Sequence, residues 1–287
     1  MNIYFTEYKV STITCNVDLG VNIDLNILYD NFEIGGKSKF IWIYYPKLPE
    51  GENKRGEYPK KQRKMKKTAC IKKTSFDNQV TFLYKSDNYP NLKLFKNGNI
   101  QITGVKDKDD VEIIVKQVIE EIKRIWETNH SISQTEDFMK KIGFYNFRIR
   151  MINTDFKTFG DEEMTEKFLI RRRALHMILI SEKYNNKCSF EPGKYHGVKL
   201  EFFWNEEKEK QDGLCCCRDN CFGKGNGKGN KNCKKITIAI FESGSVLITG
   251  GISFIQIDDA YKYITEIFRN HHKEIKKMDL NNLLVEN

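Results

Sequence analysis

One stretch of this chain occurs twice. Leu92-Lys93-Leu94-Phe95-Lys96-Asn97-Gly98-Asn99-Ile100-Gln101-Ile102-Thr103-Gly104 is echoed, without a gap and 146 positions later, by Ile238-Ala239-Ile240-Phe241-Glu242-Ser243-Gly244-Ser245-Val246-Leu247-Ile248-Thr249-Gly250. Each copy alternates apolar and polar residues, turns at Asn97-Gly98 or Ser243-Gly244, and alternates again, which is the pattern of a β-hairpin. The same offset carries into the segment that follows. There Val111, Ile114, Val115, Val118 and Ile122 match Ile257, Ala260, Tyr261, Ile264 and Phe268, at the spacing of one apolar helical stripe. Two tandem units, each ending in hairpin and helix, are the simplest account.

Period two sorts the hairpins into faces. Leu92, Leu94, Ile100 and Ile102, with Ile238, Ile240, Val246 and Ile248, make an aliphatic face for the helices to cover. The opposite face carries Lys93, Phe95, Gln101 and Thr103 in the first copy, and Ala239, Phe241, Leu247 and Thr249 in the second. That mixture suits a partly polar interface better than plain solvent. The copies are unequal: the first is expected to present a polar face with Lys93 and Gln101, the second an apolar one.

Weaker patterns fill in the rest. Strand Thr12 to Val17, helix Asp24 to Phe32, and strands Lys39 to Tyr45 and Gln79 to Lys85 open the first unit. The second opens with strand Phe147 to Ile152, a long helix near Glu166 to Glu182, and strands around Cys188 to Phe190 and Val198 to Trp204. Each unit reads strand, helix, four strands, helix. The first repeat is placed at 1–130 with a basic insertion at 47–75, a linker at 131–146, the second repeat at 147–276 with a Cys/Gly-rich insertion at 206–234, and a tail at 277–287.

A chain of 287 residues, 39% hydrophobic and 12% aromatic, can bury one large core or two small ones, since domains run roughly 100 to 200 residues. No stretch approaches the roughly 18 consecutive apolar residues of a membrane span, and the N-terminal segment lacks the plan of a signal peptide. The chain therefore reads as intracellular. Its net charge is +9, and most of it sits in one place. Between Gly51 and Ser75 lie Lys54, Arg55, Lys60, Lys61, Arg63, Lys64, Lys66, Lys67, Lys72 and Lys73, against Glu52 and Glu57. Such a run is a solvated loop, a phosphate-binding arm or a nuclear-import signal.

Five of the eight cysteines (Cys215, Cys216, Cys217, Cys221, Cys233) crowd one loop, whereas Cys15, Cys70 and Cys188 are scattered. A secreted disulfide framework would spread them more evenly. Cys216, Cys217, Cys221 and Cys233 offer a ligand set for a structural zinc; free thiols and a redox-made disulfide are the alternatives, because the spacing lacks a Cys-x-x-Cys pair on either side. The Gly-Lys-Gly-Asn-Gly-Lys-Gly run lacks the strand, Walker pattern and helix of a phosphate loop. Catalytic groups are not evident: no motif sets a nucleophile or carboxylate beside His130, His176, His196, His271 or His272. Asp109-Asp110 and Asp258-Asp259 are expected in helical first turns, where they answer the dipole. The chain reads as a non-enzyme that requires no cofactor.

The segments Asp18-Leu19-Gly20-Val21-Asn22-Ile23-Asp24-Leu25 and Phe190-Glu191-Pro192-Gly193-Lys194-Tyr195-His196-Gly197, with both Phe-x-[Asn/Ser]-Gly…Thr-Gly hairpins, resemble TATA-binding proteins. The divergent versions in large DNA viruses are the more similar. The resemblance spans roughly Thr12 to His272. It implies an α+β, pseudo-two-fold saddle with a curved antiparallel sheet and helices on the convex face. A monomer of that kind sits on double-stranded DNA in the minor groove and bends it to help assemble a transcription initiation complex, with a transcription factor IIB-like protein and RNA polymerase as partners. The host nucleus, a cytoplasmic viral factory or the virion would be its place.

By position, Phe95 and Phe241 match one DNA wedge of each pair; Tyr195 takes the second in the second unit, and Phe76 is the nearest candidate in the first. Thr103 and Thr249 match threonines set against base edges near the dyad, with Lys93, Gln101 and Leu247 on the same face. The basic loop, Lys60, Lys61, Arg63, Lys64, Lys66 and Lys67 included, falls in the stirrup region flanking the DNA. Glu191 matches an acidic stirrup residue offered to the transcription factor IIB-like partner. Thr12 and Met151 stand where the family places its central asparagines, and Glu201 replaces a phosphate-binding arginine. These departures favour a second reading, an architectural or regulatory binder without TATA specificity. A third, an accessory half-saddle of a DNA glycosylase, would need a helix-hairpin-helix and a catalytic Asp that the sequence does not offer.

Overall fold

The structure, a computed structural model, describes residues 2–59, 78–217, 221–229 and 232–277. In chain order its elements are β1 (Tyr4–Phe5), β2 (Lys9–Asp18), α1 (Leu25–Asn31), β3 (Phe40–Tyr44), β4 (Lys54–Gly56), β5 (Gln79–Tyr84), β6 (Asn91–Phe95), β7 (Asn99–Val105), α2 (Lys108–Thr128), a 3-10 turn (His130–Ile132), α3 (Phe138–Lys141), β8 (Tyr145–Phe159), α4 (Arg172–Leu179), β9 (Lys187–Ser189), β10 (Val198–Trp204), β11 (Lys234–Ile240), β12 (Ser245–Gly251) and α5 (Phe254–Ile275). They divide into two compact units, Ile13–Ile149 and Met1–Thr12 with Arg150–Asn287. The fold class is α+β. Among the described residues no helix is long and apolar enough to cross a membrane.

In the first unit the strands pair antiparallel in the order β4-β3-β5-β6-β7-β2. In the second the order is β8-β12-β11-β10-β9, again antiparallel, with β1 also on β8. Without β4 and β1, both units have the same chain order and the same pairing order. The hairpins match residue for residue: Leu94 faces Ile100 and Ile240 faces Val246. Their turns need Gly98 and Gly244, each at φ +79°. A Cβ there would lie 2.1 Å from the Val21 carbonyl oxygen and 2.3 Å from Thr158 Oγ1, respectively. The glycines of the two Thr-Gly pairs have a different task. Ile13 pairs with Val105 and Thr14 with Thr103, while Asn153 pairs with Thr249 and Ile152 with Gly251. Gly104 and Gly250, at φ +104° and +99°, are thus the extra residues of β-bulges, which bend a strand and increase its twist.

The aliphatic face is the core in both units. Leu92, Leu94, Ile100, Ile102, Ile238, Ile240, Val246 and Ile248 are all at most 1% exposed, each contributing about 2 kcal/mol of burial before the entropy of ordering is set against it. Helix α2 lays Val111, Ile114, Val115, Val118 and Ile122 on this face, and α5 lays Ile257, Ala260, Ile264 and Phe268. Tyr261 departs from the stripe: half-buried, it donates its hydroxyl to the Thr6 carbonyl at 2.9 Å. Asp24 and Asp107 cap α1 and α2 by accepting from backbone N–H groups of their first turns.

Several sequence expectations need correcting. The helix near Glu166 to Glu182 is α4 alone. Before it, Phe168 and Ile170 are both buried on alternate positions, and the chain is held extended by Phe168 N–H to the Thr158 carbonyl and Ile170 N–H to the Glu242 carbonyl. Period two has displaced the helical period there. Strand β8 is longer than expected because pairing with β12 continues to Lys157. Helix α5 starts at Phe254, so Asp258 and Asp259 are not in its first turn. Asp258 accepts from the Tyr8 hydroxyl at 2.5 Å and Asp259 from Trp204 Nε1 at 2.8 Å: they fasten the segment before β2 and strand β10 to a helix. His271 does have a carboxylate beside it, with Nδ1 2.7 Å from Glu274 and Nε2 2.9 Å from the Tyr184 hydroxyl, the backbone kinking at His271 itself.

Candidate nucleic-acid interface

The face opposite the helices can be read row by row, because directly paired residues of an antiparallel sheet project to the same side. In the first unit one row runs Thr14, Thr103, Asn91, Leu83, Trp42, and the next runs Asn16, Gln101, Lys93, Thr81, Tyr44, Lys54. Thr14 Oγ1 and Thr103 Oγ1 lie 3.4 Å apart. The buried Oδ1 of Asn16 has no protein partner. At the outer edge, Trp42 and Tyr44 stack at 5.7 Å between ring centroids with 17° between planes. Tyr58 meets Trp42 edge-on at 5.1 Å, and the Lys54 ammonium lies 5.8 Å from the Tyr44 ring.

In the second unit the equivalent rows are Asn153, Thr249, Thr237, Glu201, Lys187 and Asp155, Leu247, Ala239, Lys199, Ser189. This face is not the apolar one expected from the hairpin, because β8 and β10 contribute Asn153, Asp155, Lys199 and Glu201 to it. Asn153 Oδ1, like Asn16 Oδ1, is buried without a protein partner. Glu201 is held between Lys187 at 2.8 Å and Lys235 at 3.3 Å. Burial opposes its ionisation, but the bonds and charges of the two lysines outweigh that and hold its carboxyl below the usual carboxylate range. The row therefore carries no net negative charge. The negative charge at position 201 is offset by its neighbours.

At the end of the second unit Tyr195 and Phe241 come together, ring centroids 5.8 Å apart at 59°. Gly197 makes room for both: a Cβ on it would lie 2.8 Å from Tyr195 and 3.2 Å from Phe241. Lys199 sits 5.3 Å from the Tyr195 ring. In the turn just before, Glu191 is well exposed and pairs with Lys194 at 2.6 Å.

No family model matches the chain. The TATA-box-binding protein-like protein of Acanthamoeba polyphaga mimivirus is 31% identical to it over 289 residues, 97% of this chain and 69% of that protein. The chain belongs to the TATA-box-binding protein-like family. A solved structure, Methanococcus jannaschii TBP, is 17% identical and covers 91% of this chain and 96% of its own at a TM-score of 0.45; family membership rests on the viral relative alone.

Of the positions that the TATA-box-binding protein-like resemblance singles out, Thr103, Thr249, Lys93, Gln101 and Leu247 share the face opposite the helices, and Phe95 ends β6 half-buried. Phe76, Lys60, Lys61, Arg63, Lys64, Lys66 and Lys67 lie outside the described residues. Residues missed from sequence are Thr14, Asn16, Asn153, Asp155, Trp42 and Tyr44, whose place on the face depends on pairing with distant strands.

The cysteine loop joins β10 to β11. The sulfurs that all lie within 4.8 Å of one another belong to Cys215, Cys217, Cys221 and Cys233, so Cys215 replaces Cys216 in the expected set. Cys216 reaches Cys233, at 3.6 Å, from the side. Burial opposes ionisation of Cys233, but hydrogen bonds from the Cys216 N–H, Asn205 and the thiols of Cys217 and Cys216 outweigh it and draw this thiol down to about 7. Burial, with neighbouring thiols, pushes Cys215 up to about 12 and Cys216 up to about 11.

Proposed function

We propose that this TATA-box-binding protein-like chain binds double-stranded DNA with the faces opposite its helices, from the minor groove, and bends it to help assemble a transcription initiation complex. The observation that carries this is the composition of those faces in both units: Thr14-Thr103-Asn91 and Asn153-Thr249-Thr237 lie in equivalent rows. Hydroxyls and amides of this kind suit the minor groove, whose floor offers mainly the acceptors of A·T pairs and the one donor of G·C. Unpartnered Asn16 and Asn153 oxygens fit a surface completed by a ligand. Tyr195 against Phe241 supplies a wedge. Inserting such rings costs on the order of a few kcal/mol per unstacked step, offset by the wider interface that a bent duplex makes, TATA-binding proteins being the case from which that rule is drawn.

Glu191, projecting from its turn, is the residue we assign to a transcription factor IIB-like partner, with RNA polymerase following. The protein acts inside the cell as a monomer on DNA, without catalysis and without a required cofactor. The basic loop between β4 and β5 adds phosphate contacts. A second reading, an architectural binder without TATA preference, is favoured by Thr12 and Met151 at the central asparagine positions.

Titration of duplexes with and without an A·T-rich core, at two salt concentrations, separates the two. The promoter reading expects at least about tenfold tighter binding to the A·T-rich duplex, roughly 1.4 kcal/mol. Equal affinities overturn it in favour of the architectural one. Substituting Phe241→Ala and Tyr195→Ala should reduce the bend read by FRET between duplex ends; an unchanged bend removes the wedge.

A further inference from the structure

We propose that the β10–β11 loop is a zinc site, with Cys215, Cys217, Cys221 and Cys233 as its tetrahedral ligands. Zinc–thiolate bonds of about 2.3 Å in a tetrahedron put the sulfurs about 3.8 Å apart. Cys233 Sγ lies 3.8 Å from Cys215 Sγ and 3.5 Å from Cys217 Sγ, and all four sulfurs fall within 4.8 Å. These separations are far beyond a disulfide bond of about 2.05 Å, and all four cysteines are free. The array is spaced for an ion at its centre.

The surroundings are those of thiolate ligands, which need N–H donors to orient them and spread their charge. The backbone N–H of Cys217 donates to Cys215 Sγ at 3.4 Å and that of Gly223 to Cys221 Sγ at 3.3 Å. Asn205 Nδ2 donates to Cys233 Sγ at 3.7 Å. In two of the three the donor is the amide two residues beyond the ligand. Lys208, ion-paired with Asp212 and donating to the Leu214 carbonyl at 2.8 Å, fastens the chain just before Cys215.

A metal would also supply what the loop lacks. It runs from Asn205 to Cys233 without a regular element among the described residues, well past the roughly 12 to 15 residues usual for such a connection. Its apolar content is slight, and Phe222 is 72% exposed. Four thiols would lose their protons to solvent as four Zn–S bonds form, with no change of oxidation state, and the binding free energy would hold the loop closed. Cys216 is spare in this arrangement.

The test is metal content of the full chain, purified under reducing conditions without added metal and checked for its folded state by circular dichroism. About one zinc per chain is expected by mass spectrometry of the elements. Cobalt exchanged into the same protein should show the intense thiolate charge-transfer band and the d–d bands of a tetrahedral thiolate site. Cys216→Ser should retain both the zinc and the cobalt spectrum, while Cys221→Ser loses them. Cobalt titration of the unsubstituted protein gives the same answer should Cys221→Ser fail to fold. Folded protein with less than about 0.1 zinc and no cobalt bands overturns the site, and a fall in metal content for Cys216→Ser equal to that for Cys221→Ser overturns the ligand set.

Discussion

Gly98 and Gly244 occupy the same position of the two hairpins and are fixed there by the same cause, a positive φ with a neighbouring oxygen where a Cβ would go. Gly98→Ala should cost about 2 kcal/mol or more, read as a lower urea midpoint; an unchanged midpoint would contradict the assigned turn. At this scale much was legible. Period two placed Thr103, Thr249, Lys93 and Gln101 on one face and the aliphatic residues on the other, since alternation is local. Thr14, Asn16, Asn153 and Asp155 were not legible. Each joins that face through a β7 or β12 partner about 90 residues away, and a single sequence does not announce such pairings. The cysteines pose a related problem: in the run Cys215 to Cys217, loop geometry alone decides which sulfurs lie within 4.8 Å of those of Cys221 and Cys233.

Among the elements, the hairpins and the long helix α2 were legible because strong periodicity coincided with turn and cap chemistry, as at Asp107. Helix α4 is shorter than its periodicity suggests because Phe168 and Ile170 fit either period, and backbone bonds to Thr158 and Glu242 hold them extended. The segment before β2 shows what tertiary context adds. Burial, then the hydrogen bond to Asp258 and its charge, raise the Tyr8 hydroxyl from 10.0 to about 12. With the folded value above the unfolded one, the stability from this hydrogen bond is fully present below pH 10 and is lost as pH rises from about 10 to about 12. Tyr8→Phe should therefore lower stability at pH 7 by about 1 kcal/mol, the worth of one hydrogen bond, and remove that part of the alkaline decline in thermal melts. Identical alkaline limbs in both proteins would contradict the Tyr8–Asp258 bond. At the edge of the first unit, the Trp42–Tyr44 stack with Lys54 is expected to contribute to DNA affinity. Tyr44→Ala should weaken binding about five- to tenfold, in line with a stacking interaction of roughly 1 kcal/mol. Unchanged affinity would make the stack purely structural.

For the whole molecule, two copies of one unit give two equivalent faces with different side chains, and the charge follows that inequality. Most of the +9 belongs to the segment from Gly51 to Ser75, whereas the second unit sets Lys187, Lys199 and Lys235 beside Glu201 and Asp155 on one face. Affinity should fall steeply with salt, and deleting residues 60–73 should flatten the slope of log affinity against log salt by several units, about one for each phosphate no longer neutralised. An unchanged slope would make the loop a bystander. If the faces opposite the helices meet DNA, reversing a charge on them weakens binding more than reversing one on a helix. Duplex affinity of Lys93→Glu and Lys199→Glu is to be compared with that of Lys116→Glu, which reverses an exposed charge on α2. Affinity reduced tenfold or more for the first two, with the third within about twofold of the unsubstituted protein, is predicted; equal reductions for all three, or none for Lys93→Glu and Lys199→Glu, would contradict it.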